Sequence, residues 1–186
     1  MSVDVVRRRF TVDEYLRMVE VGILHADERV ELLDGEILTV SPPGPDHNAS
    51  TGVLNRLLVL GVGSRAVLLP GPTVRLSKVS APEPDLVVLR PDPRYYRDRY
   101  AEPGDVLLLI EIANSSLRHD RGLKLRLYAD AGIEEYWIVN NQDETVEVYR
   151  QPSGSGFASA RTFRRGESVS PSAFPDLRIP VEEIFA

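Results

Sequence analysis

A single glutamate inside an apolar strand constrains the fold of this chain more than any other feature. Glu111 lies in the run 106–113, where every other residue is aliphatic. Because this run is rich in Leu, Ile and Val and is bounded by Pro-Gly and Asn-Ser pairs, it predicts a buried strand covered on both faces. An ionised carboxylate at such a position costs several kcal/mol unless a cation or hydrogen-bond donors compensate it. The sequence therefore predicts a partner for Glu111.

Two candidate partners lie on either side of this strand in the sequence. Asp85 follows Pro84 and opens the apolar run 86–89, and Lys124 lies on the helix predicted after the Glu111 strand. Asp85 alone is typical of a turn at a strand end. Two carboxylates on neighbouring strands beside a lysine, however, can hold a divalent cation and orient a water molecule. The combination indicates metal-dependent hydrolysis, and a purely structural Glu111–Lys124 ion pair is the alternative.

The segment 120–132 is predicted to form a helix that ends at Gly132. At about 100° per residue, one face of this helix carries Lys124 surrounded by Leu123, Leu127, Tyr128 and Ala131. Lys124 therefore points toward the sheet, with Asp120 one turn earlier, and Tyr128 is interpreted as a packing residue. The opposite, solvated side is expected to carry Arg121, Arg126 and Asp130. Leu125 and Ala129 lie outside the apolar stripe and are available to meet another element or subunit.

The N-terminal part predicts a helix followed by a hairpin. Thr11 and Glu14 have the spacing of a capping box, which predicts a helix over 12–21. The runs 29–33 and 36–40 flank an Asp-Gly pair, the strongest short-range hairpin signal. Glu31 alternates with apolar neighbours, so its default position faces solvent. An inward position would let it complete the metal shell or position a second ion.

Further elements follow along the chain. Asp46 is a plausible N-cap for a second helix, with His47 on its first turn. His47 is interpreted as a capping or surface residue, with contact to a phosphate or water as the alternative. Short strands are predicted at 66–69 and 73–76, and a second hairpin at 135–139 and 145–149.

Composition bounds the class of protein. The 186 residues are 42% hydrophobic, so we expect one domain over 1–186, with a core at about 11–150 and a C-terminal strand and turn extension at 157–186. The chain contains no cysteine, which excludes disulfides and thiolate metal sites. No apolar run is long enough to span a membrane, and the first ten residues lack the apolar stretch of a secretory signal, so a cytoplasmic location is expected. The net charge of −6 argues against a general nucleic-acid coat protein but allows a local basic groove.

Several motifs together resemble one known family, the Uma2 family of restriction-endonuclease-like proteins in the PD-(D/E)XK nuclease superfamily. The motifs, in order, are Glu31-Leu32-Leu33-Asp34-Gly35-Glu36, Ser41-Pro42-Pro43-Gly44 with His47, Pro84-Asp85, Ile110-Glu111-Ile112-Ala113-Asn114-Ser115-Ser116, Asp120 with Lys124 and Tyr128, and Gly132-Ile133-Glu134-Glu135-Tyr136-Trp137-Ile138-Val139. The resemblance extends over about 11–185.

The resemblance implies an α+β fold with a restriction-endonuclease-like core, in which helices flank a mixed sheet, preceded by an N-terminal helix and a β-hairpin. It implies Asp85, Glu111 and the backbone carbonyl of Ile112 as Mg²⁺ ligands, with Mn²⁺ able to substitute, and Glu31 as an additional acid. The superfamily lysine is absent two residues after Glu111, where Ala113 stands, and the resemblance places it on the following helix at Lys124. DNA as substrate and a homodimer are also implied.

Three functions follow as hypotheses. The first is a Mg²⁺-dependent endonuclease that hydrolyses DNA, with Asp85, Glu111, Lys124 and Glu31 as site residues. His47, Asp120 and Tyr128 are accessory candidates. The second is a non-catalytic nucleic-acid or protein-binding module in which the carboxylates and lysine form a structural network, which the acidic charge favours. The third is a metal-dependent hydrolase of a small phosphoester.

Overall fold

The computed structural model describes residues 7–25 and 27–185. Its α-helices are α1 (Val12–Glu20), α2 (Pro45–Val62), α3 (Leu117–His119), α4 (Leu125–Asp130) and α5 (Val181–Ile184). Its strands are β1 (Val30–Leu33), β2 (Glu36–Thr39), β3 (Val67–Pro70), β4 (Leu86–Leu89), β5 (Val106–Ala113), β6 (Glu135–Asn140), β7 (Thr145–Ser153), β8 (Gly156–Phe163), β9 (Ser168–Val169) and β10 (Ile179–Pro180). None of the helices in these ranges is long and apolar enough to cross a membrane.

A six-stranded mixed sheet forms the centre of the molecule, in the order β3-β4-β5-β6-β7-β8. β5 and β6 are parallel, and the other neighbouring pairs are antiparallel. Because a parallel pair requires a crossover connection, the chain leaves β5 and passes through α3 and α4 before β6. This crossover covers the face of the sheet onto which Glu111 projects.

Each face of the sheet has its own apolar core. On one face, α2 and the C-terminal segment cover alternate residues of β5, among them Leu108 and Ile110. On the other face, the crossover and its Tyr128 pack against Leu109 and Ala113. This alternation is the expected period of two along a strand, and it places Glu111 on the crossover side.

The predicted first hairpin is confirmed as β1 and β2, which form a separate two-stranded antiparallel sheet. Asp34 and Gly35 both have positive φ, 51° and 77°, as a tight primed turn requires. α1 packs on this hairpin through Val12 and Tyr15, and its predicted capping box at Thr11 is present. The second predicted hairpin is confirmed as β6 and β7.

The crossover differs from the single helix predicted over 120–132. It begins earlier, at Leu117, and a π-helical segment, Asp120–Lys124, separates α3 from α4. A π-helical turn inserts an extra residue into the helix and is frequently found at functional sites. The end at Gly132 agrees with the prediction, since Gly132 has a φ of 77°.

Two further predictions of local structure were wrong. α2 begins at Pro45 with Gly44 as its N-cap, not at Asp46, because proline is favoured at the first helical position, where no N–H is needed. Residues 73–76 form no strand; Val74 makes only an isolated bridge to Ala101.

A buried acid ties the sheet to the C-terminal segment. Glu135 on β6 is 1% exposed. It accepts hydrogen bonds from Trp137 Nε1 at 2.7 Å, from the Arg150 guanidinium at 2.8 and 2.9 Å and from the Ser172 backbone N–H at 2.6 Å. These donors stabilise a charge that burial alone would disfavour.

Replacing Glu135 is therefore expected to destabilise the fold. Glu135→Ala removes the carboxylate partner of Arg150 and leaves the buried Trp137 Nε1–H and the Ser172 backbone N–H without their acceptor, so the free energy of unfolding in urea should fall by about 3 kcal/mol. Glu20→Ala, which removes an exposed partner of Arg17 on α1, is the matched control and should change it by less than about 1 kcal/mol. Equal effects of the two variants would contradict a structural role for the Glu135 network.

Candidate active site

Lys124 is the partner that the apolar strand around Glu111 requires. Glu111 on β5 is 4% exposed, and Lys124, at the end of the π-helical segment, is 5% exposed. The Lys124 ammonium donates to Glu111 Oε1 at 2.9 Å, and the buried Tyr128 hydroxyl donates to the same oxygen at 2.6 Å. Tyr128 thus does more than pack. The helical face predicted for Lys124 is the face that the structure turns toward the sheet.

The Glu31 carboxylate is the second acceptor of hydrogen bonds from the Lys124 ammonium. Its Oε1 accepts from Lys124 Nζ at 3.1 Å and from the Glu83 backbone N–H at 3.1 Å. The default solvent-facing position was wrong, since Glu31 is 2% exposed. All four residues of β1 are buried, because α1 covers one face of the strand and the crossover covers the other. The two-residue period of a strand predicts that side chains alternate between its two faces. It does not show that other elements cover both faces of β1.

The π-helical segment brings Asp120 to the same buried side as Lys124. Asp120 is 2% exposed and accepts a hydrogen bond from Ser116 Oγ at 2.7 Å. Its backbone carbonyl accepts from the Tyr136 hydroxyl at 3.3 Å. Asp120 and Lys124, at the two ends of the π-helical segment, are therefore both buried.

Asp85 immediately precedes β4 and lies beside the end of β5. Its Oδ2 accepts from the Ile112 backbone N–H at 2.7 Å, and its Oδ1 lies 3.0 Å from His47 Nε2. The side chains of Asp85 and His47 are 19% and 16% exposed. His47 is therefore not a free surface residue: the first turn of α2 places its ring against Asp85. The structure brings all the candidate residues into one region.

A cleft of about 610 Å³ opens over these residues. The segment 41–44 forms one wall and the end of β5 forms another. Sequence analysis did not single out three residues that line it, namely Arg29, Glu83 and His119. Asn114 and Ser116 also line it but entered only as part of a family motif. Ser116 was not connected to Asp120. Its spacing of four from Asp120 was the signal that could have connected it to the site.

Burial and an excess of acids govern the electrostatics. Burial raises the pKa of Glu111 well above its ordinary value, which the Lys124 charge opposes and the neighbouring Asp85 and Asp120 reinforce. Burial also raises the pKa of Asp120, against the effect of the Ser116 hydrogen bond. For Lys124, burial lowers the pKa, but the Glu111 and Glu31 carboxylates outweigh it and the net shift is upward. The acids that line the cleft outnumber the lysine and arginine side chains that line it.

The donor atoms suit a hard divalent cation. The carboxylates of Asp85 and Glu111 line the cleft together with Ile112. Glu31 Oε2 is buried and has no hydrogen-bond partner in the described residues, so one further carboxylate oxygen is unsatisfied. In the ranges that the structure describes, no three His, Cys, Asp or Glu side chains are grouped as metal ligands. Mg²⁺ usually binds one or two carboxylates and retains several waters, so two carboxylates and a carbonyl are sufficient.

A double-mutant cycle tests the coupling of Lys124 and Glu111. Lys124→Met leaves two buried carboxylates without their cation and should lower the free energy of unfolding by about 3 kcal/mol or more. Glu111→Gln in addition should recover part of this loss, with a coupling energy of about 1–3 kcal/mol. The exposed Arg17–Glu20 pair is the control, with a coupling below about 0.5 kcal/mol. Additive effects at Lys124 and Glu111 would contradict a mutually dependent pair.

Comparison with known proteins identifies the family and the fold of this chain. The Uma2 family model, described as "Putative restriction endonuclease", matches residues 12–182. A protein of Synechocystis sp. (strain ATCC 27184 / PCC 6803 / Kazusa), named "Uncharacterized protein sll1609", is 26% identical over 156 residues, which cover 81% of this chain and 86% of that protein. A crystal structure from Anabaena variabilis ATCC 29413, described as a putative nuclease belonging to DUF820, superposes with a TM-score of 0.72 at 18% identity and covers 95% of this chain and 97% of that one. The fold class and the family resemblance predicted from the sequence are confirmed, and this chain belongs to the Uma2 family.

Proposed function

We propose that this protein is a metal-dependent endonuclease that hydrolyses phosphodiester bonds in DNA. The observation that carries the proposal is the buried Lys124 ammonium between Glu31 and Glu111 at a cleft that Asp85 also lines. Membership of a restriction-endonuclease-like family supports it. The cleft has more carboxylates than cationic side chains, so carboxylates are available to hold a metal ion, and the lysine lies next to them. Metal-assisted phosphoryl transfer uses a cation held in this way.

Asp85, Glu111 and the Ile112 carbonyl would hold the cation, for which Mg²⁺ is proposed and Mn²⁺ is a substitute. When bound, such an ion supplies Lewis-acid stabilisation of the phosphate and lowers the pKa of a bound water. Asp85 is preorganised for this role because the Ile112 N–H and His47 fix both of its oxygens.

Lys124 would position the attacking water. An ammonium has three N–H donors, and Lys124 uses two of them on Glu31 and Glu111. The third makes no hydrogen bond to any residue in the described ranges and is available to a water or a phosphate oxygen. The two carboxylates keep Lys124 charged, so it would act by orientation and by stabilising negative charge in the transition state, not as a base.

The accessory residues have distinct supporting roles in this proposal. Tyr128 donates to Glu111 and thereby fixes the carboxylate that would bind the metal. Ser116 and Tyr136 donate hydrogen bonds to Asp120. These hydrogen bonds would stabilise the π-helical segment, which ends at Lys124. His47 would orient Asp85 and contact the substrate from the wall of the cleft.

DNA is the proposed partner and a homodimer the proposed assembly. Arg29 lines the cleft and supplies a local positive charge to a chain of net charge −6. The apolar residues first considered for a subunit contact, Leu125 and Ala129, instead pack within the subunit. Exposed apolar residues on α2, Val59 at 47% and Leu60 at 72%, are the remaining support for an interface.

A non-catalytic binding module is the second candidate. One observation favours it: Lys124, Tyr128 and the Glu83 N–H already donate hydrogen bonds to one oxygen each of Glu111 and Glu31. Such a network stabilises a fold whether or not it catalyses a reaction.

DNA cleavage tests the proposed function directly. Wild type should nick supercoiled plasmid or cut single-stranded DNA with Mg²⁺ or Mn²⁺. Asp85→Asn and Lys124→Met should each lower the rate by about 100-fold or more, because each removes a group that acts in the transition state. Arg17→Gln, on exposed α1, is the control and should cleave like wild type. Absence of cleavage by folded wild type, or equal cleavage by all variants, would contradict the proposal.

Metal binding is tested separately by thermal unfolding. A cation that binds only the folded state at 100 times its dissociation constant stabilises it by about 2.7 kcal/mol. We expect Mg²⁺ or Mn²⁺ to raise the Tm of wild type but not that of Asp85→Asn. Asp176→Asn, at an exposed carboxylate, should respond like wild type. An unchanged Tm for wild type would favour the binding module.

A further inference from the structure

The π-helical segment is attached to the sheet from its outer side as well as its inner side. Arg121, one residue after Asp120, donates from Nε to Glu147 Oε2 at 3.0 Å, and its terminal nitrogen donates to Oε1 of the same carboxylate. Glu147 lies on β7, and its side chain is 7% exposed. The Tyr149 hydroxyl also donates to Glu147 Oε2, at 2.6 Å. Arg121 was expected on the solvated side, but it binds a buried acid.

This ion pair differs from an ordinary surface pair. Exposed pairs contribute little because water screens both charges. Here the Arg121 side chain is 47% exposed, but its partner is almost fully buried. A buried carboxylate that loses its cation is strongly disfavoured, and two parallel N–H donors also fix its orientation. The pair therefore resists displacement of Arg121 from β7.

The segment needs such external contacts. π-helical turns are rare and usually limited to a single turn, and Gly122 at the centre of this one lowers its intrinsic helical stability. On the inner side, Lys124 binds carboxylates of β1 and β5. On the outer side, Arg121 binds β7. The position of the turn relative to the sheet is fixed by contacts on both sides.

We propose that Arg121 and Glu147 are a positioning pair, which holds the π-helical segment so that Lys124 and Asp120 face the cleft in the geometry needed for hydrolysis. The inference rests on the proposed nuclease function for its catalytic consequence. Its structural part, the placement of the segment, does not depend on that function. Neither residue touches the substrate in this proposal.

The chain provides a matched control for this pair. Arg150 and Glu135 also join a half-exposed arginine to a buried glutamate, with the Arg150 side chain 35% exposed and that of Glu135 1% exposed. They connect β7 to β6 and the C-terminal segment, away from the π-helical turn. Loss of either arginine leaves a buried carboxylate with fewer donors. Only loss of Arg121 should alter the site.

Two measurements on Arg121→Met and Arg150→Met test the proposal. Hydrogen–deuterium exchange of amides in 117–125 should accelerate by about tenfold or more in Arg121→Met and not in Arg150→Met, because local opening controls exchange. In the DNA cleavage assay, Arg121→Met should lower kcat by about 10-fold to 100-fold with little change in KM, as expected for a misplaced catalytic group. Arg150→Met should keep its kcat at temperatures where it is folded. Arg121→Lys should recover part of the kcat.

The outcomes separate this proposal from the proposed function. Faster exchange in Arg121→Met, even if wild type cleaves no DNA, supports the positioning of the segment while the nuclease proposal fails. Unchanged exchange in both variants overturns the positioning role. An equal loss of kcat in Arg150→Met also overturns it, because general destabilisation would then explain both. Glu147→Gln, which keeps the shape of the side chain, provides a second variant and should reproduce the effect of Arg121→Met.

Discussion

The rest of the site depends on the hydrogen-bonded ion pairs that the buried Lys124 ammonium makes with two carboxylates. Lys124 can be buried only because Glu31 and Glu111 accept its hydrogen bonds, and those acids can be buried only because Lys124 lies between them. β1, which is distant in sequence, must therefore meet β5 and the crossover that follows it at one point. The small hairpin is fixed to the main sheet by this requirement as well as by its apolar contacts.

Most of the stability of the fold comes from elsewhere. Two apolar cores on opposite faces of the sheet supply the hydrophobic driving force, so the polar cluster does not have to be stabilising. It can retain excess negative charge and an unsatisfied carboxylate oxygen, Glu31 Oε2, which a stabilising network would satisfy. Such local deficits are typical of sites where function, not stability, determines the residues.

Much of the site could be predicted because its signals are local. An acid among aliphatic residues identified Glu111, and the helical period placed Lys124 on the inward face. The Asp-Gly pair fixed the first hairpin. The errors have a common cause in contacts from outside the segment. Glu31 was expected in solvent because alternation cannot show that α1 and the crossover cover both faces of β1. The π-helical turn was missed because a wheel assumes a uniform α-helix, and Arg121 was left in solvent because its partner Glu147 is 26 residues away.

The sequence by itself determined the candidate residues that meet at the cleft, the two hairpins and the buried strand around Glu111, and the family of the chain. It did so because apolar periodicity, turn pairs and caps act over a few residues. The tertiary structure alone decided that Glu31 and Glu111 share one lysine, that His47 contacts Asp85, and that Arg121 binds Glu147. These contacts depend on how the crossover and the hairpin pack against the sheet, and packing is set by the whole chain at once.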